Sequence, residues 1–188
     1  MSAVAVVWIV IEMPIGLAQD LPAGEQPNMT RARRFQLEYD VDSVGPSGVR
    51  RVELWQTRDA GRTWSHIGLE MSRHISDVII HPTDEDLFYV AVQGAQYGPS
   101  EERGIYRSSD GGETWERIFF VDENTGAAEL AMDPENPDRL LVGMWSVHIN
   151  TWGLRSGGPG GGMYRSLDGG ESWETLSEKG LPGGADNP

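Results

Sequence analysis

Ser108-Ser109-Asp110-Gly111-Gly112-Glu113-Thr114-Trp115 is the stretch whose reading decides the fold. Two relatives of it stand in the same chain: Thr57-Arg58-Asp59-Ala60-Gly61-Arg62-Thr63-Trp64 before it and Ser166-Leu167-Asp168-Gly169-Gly170-Glu171-Ser172-Trp173 after it. In general form each reads Ser/Thr-x-Asp-x-Gly-x-Ser/Thr-Trp. The second aspartate follows the first by 51 residues, and the third follows the second by 58. A fixed element recurring at such an interval signals a modular array rather than one irregular core.

The chemistry of the motif predicts a hairpin. An aspartate in a turn accepts hydrogen bonds from nearby backbone N–H groups and closes the loop on itself. Glycine supplies the positive φ of a tight turn. The short hydroxyls on either side can bond the turn backbone, and the tryptophan enters the next strand with a large ring to bury and an N–H to satisfy. Asp59, Gly61, Trp64, Asp110, Gly112, Trp115, Asp168, Gly170 and Trp173 are therefore expected to be structural rather than catalytic.

The motif resembles the Asp-box of BNR-repeat β-propellers, which include sialidases, some glucan hydrolases and sortilin-type receptors. The resemblance implies an all-β fold, an incomplete β-propeller of four-stranded blades with Asp-box hairpins. Residues 72–183 carry it most fully, through Tyr97–Arg107, Val121–Gly126 and Ser156–Gly162. The family includes both enzymes and receptors, so the box specifies a fold and says little about chemistry.

The strand pattern agrees with a blade repeat. Residues 75–82 and 127–134 each end at a proline, followed by the polar turns Thr83–Asp86 and Glu135–Asp138. Apolar runs Leu87–Ala91 and Leu140–Gly143 come next, then a loop, then Gly104–Ser108 and Gly162–Ser166, then the box and its Trp strand. Four short strands bounded by turn residues is the content of a propeller blade. The expected organisation is an apolar segment and linker over 1–30, a partial blade or β-sandwich-like segment over 31–71, blades over 72–121 and 122–180, and a tail over 181–188. A closed ring needs at least about four blades, so self-association, or a place within a larger propeller, is expected.

The two full units differ mostly in one place. Phe88 and Ile105 are 17 residues apart, whereas their equivalents Leu140 and Met163 are 23 apart. Variable loops on a fixed framework are where recognition usually resides, so loops 93–103 and 145–161 form the expected binding face. Within them Tyr97, Trp145 and Trp152 offer flat rings for a sugar or a peptide side chain. Arg103 and Arg155 offer planar forks for carboxylates. A glycosidase would need two converging carboxyl groups. Glu101, Glu102, Asp122, Glu123 and Glu129 are available, but spacing does not say which of them meet.

The formal net charge of −14 over 188 residues argues against nucleic acid and anionic membranes as partners. The absence of cysteine excludes disulfides and thiolate metal sites. The four histidines lack metal-ligand spacing, and Asp122–Gly126 lacks the register of a calcium loop, so it reads as a turn. No metal or cofactor is expected. Ala3–Ile11 is a nine-residue apolar run, too short to span a bilayer. It reads either as a signal-peptide core or as a buried strand. The expected location is extracytoplasmic. The leading expectation for function is an exported module that binds a glycan or protein through its inter-strand loops. The alternative is a fragment of a BNR-repeat glycoside hydrolase, and a purely structural module is a third possibility.

Overall fold

The computed structural model describes residues 4–10, 34–35, 51–58 and 63–176, with side chains for 54–58 and 63–176. All secondary structure in these residues is β: β1 Val4–Val10, β2 Arg34–Phe35, β3 Arg51–Thr57, β4 Ser65–His66, β5 Ile75–Ile80, β6 Phe88–Val92, β7 Gly104–Ser108, β8 Glu116–Phe119, β9 Thr125–Met132, β10 Leu140–Asn150, β11 Gly153–Ser156, β12 Gly162–Ser166 and β13 Glu174–Thr175. Two antiparallel four-stranded units follow one another, β5-β6-β7-β8 and β9-β10-β12-β13. A first unit pairs β3 with β4 and, in parallel, with β1. The apolar run near the N-terminus is therefore a strand here. The chain has the architecture of an incomplete β-propeller.

Alternation along the strands sets which face meets which neighbour. On β6, Phe88, Val90 and Val92 point toward the first unit and pack with Leu54, Ile67, Ile75, Val78 and Ile80. Tyr89 and Ala91 point the other way, where they join Ile79, Ile105, Ala127, Leu130, Leu140, Val142 and Met144 of the second core. The middle sheet is thus buried on both faces, and its strand β6 reads as a continuous apolar run rather than an alternating one. Phe119 stacks on Trp173 at a centroid distance of 4.8 Å and meets Tyr164 at 5.0 Å, sealing the second core at its rim.

Two differences from the sequence reading stand out. β10 does not stop at Gly143 but runs to Asn150 and turns back as β11, with Val147 opposite Ser156 and Asn150 opposite Gly153. Most of the presumed loop 145–161 is therefore a projecting hairpin. Trp145-Ser-Val147-His-Ile149-Asn150 alternates apolar and polar, the sequence signal for this extension. The other difference concerns the partial blade or β-sandwich-like segment expected over 31–71. Arg34–Phe35 pairs antiparallel with β5, giving the middle sheet a fifth strand, while residues 36–50 lie outside the described residues.

Close backbone approach holds the last two units together at Gly126. A Cβ there would lie 2.3 Å from the Gln93 carbonyl oxygen and 2.7 Å from its Cα, atoms that cannot swing aside. Gly126→Ala is expected to destabilise the fold by about 1–3 kcal/mol, as overpacking does. Gly153→Ala, with nothing within 4 Å, is expected to leave stability unchanged. Urea melts followed by circular dichroism compare the two.

Candidate functional site

The framework beneath the loops is built by the boxes. In the second box Asp110 Oδ1 accepts the Thr114 N–H at 2.9 Å and the Ser108 hydroxyl at 2.7 Å, and Oδ2 accepts the Thr114 hydroxyl at 2.5 Å. Ser108 Oγ in turn accepts the Gly112 N–H at 2.8 Å. The third box repeats this set, with Asp168 taking the Ser172 N–H at 2.9 Å, the Ser172 hydroxyl at 2.5 Å and the Ser166 hydroxyl at 2.7 Å. Both carboxylates have spent their acceptors on their own turns. Asp59 and Gly61 lie outside the described residues.

Each box turn also docks on the preceding unit. The Gly111 carbonyl accepts Gln56 Nε2 at 2.7 Å, while its N–H donates to the Asp86 carbonyl at 2.9 Å. The Gly169 carbonyl accepts the Tyr89 hydroxyl at 3.0 Å and Arg107 Nη1 at 3.3 Å, while its N–H donates to the Asp138 carbonyl at 2.9 Å. Trp115 donates its indole N–H to the Ile67 carbonyl of the first unit, whereas Trp173 donates to Gly170 within its own box.

On this frame the two variable segments meet. The Ile149 N–H donates to the Gln96 carbonyl at 3.0 Å, and Gln93 Nε2 donates to the Trp145 carbonyl at 3.4 Å. Loop 93–103 therefore leans on the β10–β11 hairpin. Asn150 Oδ1 fixes the hairpin tip by accepting the N–H groups of Trp152 and Gly153, each at 2.9 Å. Trp152 at the tip is 93% exposed, Tyr97 71% and Leu154 60%. Rings and aliphatic groups left this open are held in water by a well-bonded scaffold. Trp145 is less free: its indole N–H donates to Ser156 Oγ at 2.9 Å, tying it across the hairpin. Arg155 is exposed on β11, opposite exposed His148 on β10. Leu154 and His148 also lie on this hairpin, within the expected segment 145–161, although sequence reasoning had not singled them out. His74 lies half-buried below the loop with Nδ1 3.1 Å from Gln96 Nε2, and burial lowers its pKa.

Arg103 does not join this face. It is fully buried, and its guanidinium donates to the carbonyls of Gln93 at 2.7 Å, Ala95 at 2.5 Å and Gly98 at 3.3 Å. Five donors in a planar fork suit one cation to several carbonyls at once. Its role is to curl the loop and so to position Tyr97. Two of the carboxylate candidates, Glu102 and Asp122, bond within their own loops. Glu102 accepts the Ser100 hydroxyl at 2.7 Å, Asp122 Oδ1 accepts the Asn124 N–H at 2.7 Å, and the backbone carbonyls of Glu101 and Glu123 accept Arg117 and the Ser100 N–H. Glu129 is exposed on β9. The Asp122–Thr125 segment is a turn, closed by the Thr125 N–H on the Asp122 carbonyl at 3.3 Å.

Comparison with known proteins adds the following. A sequence profile of the family Sortilin-Vps10 (sortilin, neurotensin receptor 3) matches residues 52–181. No curated protein matches the chain. Similar solved structures include an ancestral GH74 enzyme (22% identity, TM-score 0.46, covering 61% of this chain and 14% of that one). Others are the GH74 xyloglucanase of Xanthomonas campestris (19%, 0.42, 65% and 18%) and the GH74 enzyme of Niastella koreensis (16%, 0.38, 64% and 26%). The chain spans about a quarter or less of the length of these structures.

Two outcomes are expected. Bonds from Thr114 and Ser108 hold Asp110 at a pKa of about 2, below its ordinary 3.8, and bonds from Ser172 and Ser166 do the same for Asp168. A depressed folded-state pKa means this stabilisation is present above pH 3.8 and lost as pH falls toward 2. A urea midpoint measured against pH is expected to drop across that window, and to drop less in Asp110→Asn/Asp168→Asn. Separately, Arg103→Lys keeps the charge but not the fork. It is expected to cost about 1–3 kcal/mol in a melt by stranding buried carbonyls.

Proposed function

We propose that this chain, which belongs to the Sortilin-Vps10 family, is a recognition module of an exported protein. It binds a glycan or protein ligand non-covalently across the face formed by loop 93–103 and the β10–β11 hairpin. The observation that carries the reading is the exposure of Trp152, Tyr97 and Leu154 on segments whose backbones are tied down. Large rings held out of the core lose little conformational freedom on binding, and they stack on sugar rings or cover apolar peptide side chains. Arg155 and His148 add hydrogen-bond donors beside them. The framework supplies rigidity and the variable hairpin supplies selectivity, the usual division of labour between scaffold and loop.

Non-covalent binding is favoured over hydrolysis because exposed rings gather on this face, whereas the carboxylates of Glu102 and Asp122 bond within their own loops. The test is a glycan array and an immobilised peptide library probed with the purified chain. Trp152→Ala and Tyr97→Ala are each expected to weaken capture by about tenfold or more, the scale of an interface anchor. Their melting curves should match the parent's, since neither ring contributes to a core. Release of reducing sugar from an array glycan would replace this reading with the hydrolase. Unchanged capture in both variants would move the site off this face.

A further inference from the structure

The second and third boxes each contain a chemically reactive dipeptide. Asp-Gly is prone to isomerise, because glycine has no Cβ to keep its nitrogen away from the aspartate side chain. The chain holds two Asp-Gly pairs, Asp110-Gly111 and Asp168-Gly169, and no Asn-Gly; the first box has Ala60 after its aspartate. The turn itself calls for the reactive pair. Gly111 has a φ of 73° and Gly169 one of 69°, the left-handed region that glycine enters without strain. A Cβ on Gly111 would also lie 2.6 Å from Arg58 Nη2.

The closed box opposes the reaction at both of its ends. The attacking nitrogen must lose its proton, yet the Gly111 N–H donates to the Asp86 carbonyl and the Gly169 N–H to the Asp138 carbonyl, each at 2.9 Å. The attacked carbon must turn back toward that nitrogen. It is held forward instead, by bonds from Thr114 and Ser108 to Asp110 and from Ser172 and Ser166 to Asp168. The same bonds keep both acids ionised, with pKa values of about 2, and so deplete the protonated form from which water can leave. Both aspartates are exposed, so the clamp protects them and burial does not.

We infer that Asp110-Gly111 and Asp168-Gly169 are isomerisation sites gated by their own hairpins, stable while the box is closed and converted to isoaspartate when it opens. In the open turn the glycine nitrogen bonds to the aspartate Cγ. Its proton passes to solvent, and the Cγ hydroxyl leaves as water, giving a succinimide. Water then opens the ring. Breaking the Cγ–N bond restores aspartate, whereas breaking the bond from the nitrogen to the former backbone carbonyl carbon leaves isoaspartate. Nothing is oxidised or reduced, and the water lost is the water regained. Isoaspartate has one more carbon in the main chain and a carboxylate one carbon nearer to it. The carboxylate then falls short of the Thr114 or Ser172 groups, and the glycine carbonyl held by Gln56, or by Tyr89 and Arg107, is displaced. A box that has reacted does not close again, so each opening risks a permanent loss of the joint.

The test ages the full chain in mildly acidic buffer, with and without concentrated urea. Isoaspartate is read at each site by Asp-N peptide mapping and by isoaspartyl methylation. Native conditions are expected to slow its formation at both sites by about tenfold or more, since the reaction then waits on local opening. Equal rates with and without urea would overturn the inference. Thr114→Val is expected to hasten Asp110 by about tenfold and leave Asp168 unchanged, and Ser172→Ala to do the reverse, the scale of one lost bond to a charged group. Equal acceleration of both sites by either variant would also overturn it, because global unfolding would then be the gate. The comparison with urea needs only the parent chain and stands if a variant fails to fold. Isomerised chains separated by ion exchange are expected to melt below the parent after refolding, and an unchanged Tm would contradict the loss of closure.

Discussion

One carboxylate organises each hairpin. Asp110 and Asp168 each accept two bonds from the Ser or Thr four residues on and a third from the hydroxyl two residues before. That closure holds the turn in one shape, and the carbonyl of its first glycine is what the previous sheet grips through Gln56, or through Tyr89 and Arg107. A local turn thereby becomes a joint between sheets. The sheets are brought face to face, their apolar sides are covered, and the segments between second and third strands are left at one rim.

The fold was legible because its signals are local. Box spacing gave the repeat, the paired prolines after His81 and Asp133 gave the strand ends, and Gly104–Ser108 matched Gly162–Ser166 in all but Ile105 against Met163. The projecting hairpin was harder to read. Its Gly- and polar-rich surroundings resembled a loop, and the alternation in Trp145–Asn150 is a weak cue beside them. Arg103 illustrates a different difficulty. An arginine in a variable loop reads as a ligand-facing fork, and only the three-dimensional path of Gln93–Gly98 reveals that the carbonyls it serves belong to the loop itself. Sequence gives residue type and spacing, whereas burial of a polar group depends on long-range packing. Trp152 was singled out for its place in that segment, while its position at a tip pinned by Asn150 required coordinates.

The aspartate hairpins and the exposed rings occupy separate parts of the chain. The aspartates with strongly depressed pKa values are also the residues with the clearest structural duty, and they lie at the turn between third and fourth strands. The exposed rings lie in the segments between second and third strands. A perturbed acid in a motif is often taken as a sign of catalysis. Here hydrogen bonding from hydroxyls and backbone explains the shift in full, and no reacting partner is required.

The double-sided burial of the middle sheet has a further consequence, for how the chain comes apart. Phe88, Val90 and Val92 serve one core while Tyr89 and Ala91 serve the other. Opening β6 exposes both at once, whereas either neighbour can peel away and expose only one. Amide exchange should therefore be slowest along this central strand and should quicken outward in both directions. Partial unfolding is expected to begin in the flanking units, with the middle sheet the last cooperative block to be lost.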